Sequence, residues 1–171
     1  MASRRQFLRT GLAGVALLAT AQRMAPAWAA PAEGLHVLDG AAAAIVVALA
    51  PVVLDGVLPR DAAAQARALH GIVVEFDRAV SLMSPAIRAE VRELFSALAF
   101  APTRIAMAGL WVPLPRASHD DIAAFLARWR HSRFDIQRSA YQALTQLVQA
   151  AWFGDPAAWS RMGYPGPPTL P

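Results

Sequence analysis

Apolar residues recur at the three- and four-residue spacing of helices through most of this chain, divided by polar or proline-bearing breaks. Asp39 can cap a run from Gly40 to Leu54 built almost wholly of Ala, Val, Ile and Leu, with Pro51 inside it. A helix apolar on every side is either buried or in a membrane. This one is too short and too proline-broken to cross a bilayer, so it reads as buried core. Asp55-Gly56 and Pro59 end it. Asp61 opens the longest helix, with an inner stripe of Leu69, Ile72, Val73, Phe76, Val80 and Met83; Gly71 within it predicts close approach by another helix. Ser84-Pro85 closes that helix and opens the next, because proline fits a first turn but not a helix interior. Ile87, Val91, Leu94, Phe95 and Leu98 form the inner stripe there.

Between Phe100 and Ala117 the period vanishes while the residues stay apolar, punctuated by Pro102, Gly109, Pro113 and Pro115. A long irregular loop normally runs polar over the surface. An apolar one is expected to lie on the domain's own core or on another protein, and both readings stay open. Ser118, with Asp121 three on, caps a helix whose inner face is Ile122, Phe125, Leu126 and Trp129. Ser132, with Asp135, is expected to cap the last long helix, where Tyr141, Leu144, Leu147, Val148 and Ala151 share one face. Gly154 suits a left-handed helix end, and Asp155-Pro156 restarts a short helix running to Gly163. No strand-period alternation, and no hairpin dipeptide between alternating runs, interrupts this pattern. The expected fold is all-α: a compact bundle of about five to six helices, with an irregular apolar loop and an extended Pro-rich C-terminal tail.

Charge changes the picture only once it is located. The net charge is +4, and Arg4, Arg5, Arg9 and Arg23 account for it, since from Ala30 onward twelve arginines meet twelve Asp and Glu. Without its N-terminus the chain is neutral, which removes the basic-patch argument for nucleic acid. That N-terminus resembles a twin-arginine export leader: Arg4-Arg5 precede the apolar pair Phe7-Leu8, an apolar run spans Gly11 to Ala21, and Ala27-Trp28-Ala29 offers a small-x-small cleavage pattern. The run is shorter than the roughly 20 residues that cross a bilayer. The chain therefore divides into a signal peptide (1–29), a helical domain (30–154), and a short helix with a Pro-rich tail (155–171). A periplasmic location follows from the resemblance.

The chain has no cysteine, so it can form no disulfide, lipobox or CxxCH haem attachment. His36, His70, His119 and His131 are scattered, and within the expected helices none has a His or Glu at the spacing that sets two metal ligands on one face. No GxSxG, GxGxxG or GxxxxGK[ST] is present. The residues thus point to no catalytic, cofactor-binding or metal-binding set.

Phe125-Leu126-Ala127-Arg128-Trp129-Arg130-His131-Ser132, then Arg138, Tyr141, Leu144, Leu147 and Trp152-Phe153, and finally Trp159 with Gly163-Tyr164-Pro165-Gly166-Pro167-Pro168 resemble the small subunit of flavin-dependent, membrane-associated dehydrogenases, of the gluconate 2-dehydrogenase subunit 3 type. The Gly-Gly-Asn associated with that type is missing after Asp155-Pro156. In such families the large subunit is a glucose–methanol–choline type oxidoreductase that holds FAD, and the small subunit helps it mature and carries it through the twin-arginine machinery. A cytochrome subunit often takes the electrons onward. The resemblance therefore implies a non-catalytic accessory subunit with no cofactor of its own. The alternative is a self-contained periplasmic helical protein, either an apolar-ligand binder or an enzyme of unrecognised site. Partner contact is expected at Trp111, Trp152, Trp159, Tyr164, Pro165, Gly166 and Pro167, because large aromatic side chains and stiff proline segments anchor interfaces with little entropy loss. For Trp159 a second reading stays open: it folds back onto the domain's own helices.

Overall fold

Asp39, Asp61, Ser84 and Ser118 each accept a hydrogen bond from the backbone N–H three residues on, and each starts a helix. At Ser118 the box is reciprocal, because the Asp121 carboxylate also accepts from the Ser118 backbone N–H. A computed structural model describes residues 31–159. They form α1 (Gly40–Val53), α2 (Ala62–Ser81), α3 (Pro85–Ala99), α4 (Ala101–Ala108), a 3-10 turn (Leu114–Arg116), α5 (His119–Arg130), α6 (Asp135–Phe153) and the single turn α7 (Pro156–Trp159). No strand occurs among the described residues, and the fold is an all-α bundle.

The central helix is α1, which packs against α2, α3, α5, α6 and the 3-10 turn. This explains its near-absence of polar residues: Ala42, Ile45, Val46, Leu49 and Ala50 are all buried. The broadest pairing is α2 against α6. Ile72, Val73, Phe76 and Val80 supply the buried stripe of α2, and Leu144, Val148, Ala151 and Trp152 that of α6. Phe76 meets Phe95 of α3 edge to face with ring centroids 5.8 Å apart, and Phe125 meets Trp129 within α5 at 4.7 Å. Each large side chain buried in this way contributes roughly 1.5–3 kcal/mol.

Four local expectations are corrected. The stretch expected to be irregular from Phe100 is helical as far as Ala108; Pro102 falls in the first turn of α4, where its missing N–H costs nothing. The last long helix starts at Asp135 and not after Ser132, because the Ser132 hydroxyl bonds the Gln137 side chain and the Phe134 N–H, so the N-cap is Phe134 with no side-chain bond. Gly154 is right-handed at φ −75°, ψ −17°. A Cβ built on Gly71 meets nothing within 4 Å, so no helix approaches closely there. The glycine that does matter is Gly109: it ends α4 at φ 64°, and a Cβ there would lie 3.1 Å from Arg128 Nη2. Gly109→Ala is expected to lower stability by about 1 kcal/mol from the left-handed backbone alone, read as a lower urea midpoint with unchanged slope.

Candidate docking surface and the Asp77 anchor

After α4 the chain runs along the outside of the bundle to the 3-10 turn, held by cations it does not itself contain. Arg104 is 3% exposed and donates from Nε to the Leu110 carbonyl (3.2 Å) and from Nη1 to the Ala99 carbonyl (2.9 Å), joining the ends of α3 and α4 to the loop. Arg128 of α5 donates to the Ala108 carbonyl, and Trp129 Nε1 donates to the Met107 carbonyl at 2.9 Å. Leu110 and Leu114 are buried. The expectation that this apolar stretch lies on the domain's own core therefore holds for those two residues. It fails for Trp111, which lies between them at 79% exposure, with Val112 beside it. The loop is thus fixed at its ends while its tip presents an indole to solvent.

The other residues expected at a partner interface divide differently. Trp152 is buried in the core, so a surface role for it is corrected; its Nε1 has no hydrogen-bond partner among the described residues. Trp159 is half-buried, and its Nε1 donates to the Phe153 carbonyl at 2.7 Å while Ala158 beside it is buried. The indole thus caps a free carbonyl at the end of α6, as the fold-back reading expects, and part of its ring stays accessible. Arg4, Arg5, Phe7, Leu8, Ala27 and Ala29 of the leader, and Tyr164, Pro165, Gly166 and Pro167 of the tail, lie outside the described residues.

Sequence reasoning missed two exposed apolar residues, Phe134 and Ile136, at the corner between α5 and α6. A signal was available for Ile136, which falls off the stripe that Tyr141, Leu144 and Val148 define, but not for Phe134, which lies seven residues before Tyr141 and so at the spacing of that stripe; arginines flank both. It also missed Asp77, which is apolar in neither character nor partners yet is 1% exposed. Its Oδ1 accepts from the backbone N–H groups of Val37 and Leu38 at 2.8 Å each, and its Oδ2 from the His36 N–H at 2.7 Å, with His36 Nδ1 at 3.1 Å. Burial by itself would raise the pKa of this carboxyl. The Leu38, His36 and Val37 N–H groups and the His36 ring outweigh burial and hold it below the ordinary aspartate value. Asp77 is therefore an anchor: it fastens the segment ahead of α1 to the C-terminal part of α2.

One cleft, of about 470 Å³, opens between the end of α1, α5 and α6. Val53 and Leu126 line its apolar side, and Arg130, Tyr141, Gln142 and Gln146 its polar side. The described residues bring no three His, Asp or Glu together in a way that could hold a metal ion. No helix among them is long and apolar enough to cross a membrane. No protein-family model, curated protein or solved structure matches the chain.

Proposed function

We propose that this chain is a non-catalytic accessory subunit that binds a FAD-containing dehydrogenase of the glucose–methanol–choline type, aids its maturation and accompanies it to the periplasm by the twin-arginine route. The observation that carries the reading is the framing of an all-α domain by a twin-arginine leader pattern at Arg4-Arg5 and a Trp159-x-x-x-Gly163-Tyr164-Pro165-Gly166 tail. In this reading Trp159, half-buried and bonded through Nε1 to the Phe153 carbonyl, offers the open part of its indole to the large subunit. FAD, the chemistry and any cytochrome belong in this proposal to the partners. The alternative of an apolar-ligand binder draws little from the cleft, whose Arg130, Gln142 and Gln146 would have to be desolvated by such a ligand.

The leader supplies the test. Arg4→Lys with Arg5→Lys should leave both this chain and a flavin-containing partner in the cytoplasm, because the export receptor reads the paired guanidinium groups and not charge alone. The measurement is fractionation of cells expressing an epitope-tagged chain, with flavin fluorescence of the co-purified material in each fraction. Unimpaired export of the double-lysine variant, or a periplasmic chain that brings down no flavoprotein, would overturn the proposal.

A further inference from the structure

Four exposed apolar side chains gather at one end of the bundle. The Met107 carbonyl accepts from Trp129 at the end of α5 and from Gln137 Nε2 (3.4 Å) at the start of α6, so the end of α4, from which the loop leaves two residues later, is held beside the α5–α6 corner. The loop carries Trp111 and Val112, and the corner carries Phe134 at 52% and Ile136 at 70% exposure. This corner is also basic: residues 128–138 contain Arg128, Arg130, Arg133 and Arg138 against Asp135 alone, in a chain otherwise balanced from Ala30 onward. Arg138 pairs with Asp135, and Arg128 is turned onto the Ala108 carbonyl. Arg130 and Arg133 form no ion pair among the described residues, and the Arg133 guanidinium lies 4.8 Å from the Phe134 ring centroid.

We propose that this end of the molecule docks directly on an anionic phospholipid surface, with Trp111, Phe134 and Ile136 entering the headgroup layer and Arg130 and Arg133 meeting the phosphates. Charge complementarity selects the occupant, and the shape of the end favours a bilayer over an acidic protein face. The apolar groups sit on two separate tips at helix ends, and a fluid layer accommodates separated tips where a rigid partner would need a matching hollow for each. Indole rings settle at the polar–apolar boundary, and arginine stems lie along apolar side chains while their guanidinium groups reach phosphate oxygens. The bundle holds an internal contrast. Leu82, at the corner between α2 and α3, is 77% exposed, yet its charged neighbours balance: Arg78 pairs with Glu75, and Arg88 and Arg92 are accompanied by Glu90 and Glu93. Apolar exposure is found at both corners, and an excess of cations at one. The contact is separate from the flavoprotein contact proposed above and stands without it.

The test is co-sedimentation with vesicles of phosphatidylglycerol and phosphatidylcholine, using the full chain and a chain begun at Ala30, which lacks the four arginines of the leader pattern. Helical circular dichroism and an unchanged melting curve qualify each variant. Both forms should bind the mixed vesicles and release them at high salt, and should ignore phosphatidylcholine alone. Arg130→Gln with Arg133→Gln should weaken binding roughly 30-fold, as two juxtamembrane cations imply. Trp111→Ala with Ile136→Ser should weaken it roughly tenfold or more, and Leu82→Ser should leave it unchanged. Equal binding to neutral vesicles, no binding by the Ala30 form, or an equal loss in Leu82→Ser overturns the proposal. So does a chain that ignores vesicles but loses a co-purifying protein on Arg130→Gln with Arg133→Gln, which assigns the end to an acidic protein partner.

Discussion

Asp77→Ala is expected to lower the unfolding free energy by roughly 3 kcal/mol, because it removes the acceptor of the His36, Val37 and Leu38 N–H groups, the last two of them buried where water reaches poorly. Asp77→Asn keeps the shape but turns an NH2 group toward donors, and should cost about half as much. The carboxylate also sets a pH dependence whose sign follows from its lowered pKa. A carboxyl with a folded-state pKa below its unfolded one stabilises fully above the unfolded value, about pH 4, and loses that contribution as pH falls through the folded value. Urea midpoints of the wild-type and Asp77→Asn proteins should therefore lie well apart at neutral pH and converge in acid. A gap that stays constant down to about pH 2 would show that shape, and not charge, is what the anchor supplies.

Trp129→Ala should cost more, on the order of 3–5 kcal/mol, and lower the melting temperature by more than about 10 °C. The side chain is 1% exposed, packs edge to face on Phe125, and donates to the Met107 carbonyl, so the variant removes core volume and also frees the end of α4. Trp129→Phe separates the two effects: it keeps most of the volume and forfeits the hydrogen bond, for about 1 kcal/mol. Calorimetry of the three proteins checks both figures. Near-equal melting of wild type and Trp129→Ala would mean that the site collapses without penalty, contrary to the close packing described above.

Most of the helices were legible in the sequence because they rest on local rules. The Asp39, Asp61, Ser84 and Ser118 caps act across three residues, and each apolar stripe reports burial of its own helix. The failures involve partners distant in sequence. Ser132 reads as a cap until Gln137 claims its hydroxyl, and the helix at Ala101 is hidden by prolines and stabilised by Arg104 reaching the loop beyond it. Asp77 falls at the spacing of the inner stripe, four residues after Val73 and three before Val80, but its three donors lie some 40 positions earlier and so could not be read from the sequence. At the candidate surfaces, Trp111 was identifiable as an aromatic in an unstructured stretch, whereas Trp152 has the same composition signal and differs only in falling on the inner face of α6. Ile136 already stands off the inner stripe of α6 in the sequence, whereas Phe134 follows the spacing of that stripe and is seen to be exposed only once the fold is known.

The pairing of α2 with α6 orders events during synthesis. About 70 residues separate Phe76 from Val148, and at 5–20 residues per second the ribosome takes roughly 4–14 s to deliver the second after the first. For that interval Ile72, Val73, Phe76 and Val80 lack the helix that covers them most broadly. Local contacts between α1, α2 and α3 can form early, but they leave one flank of α2 open to any other apolar chain nearby. Delivery of the residues at the end of α6 therefore closes the interval in which this flank of the nascent chain is open.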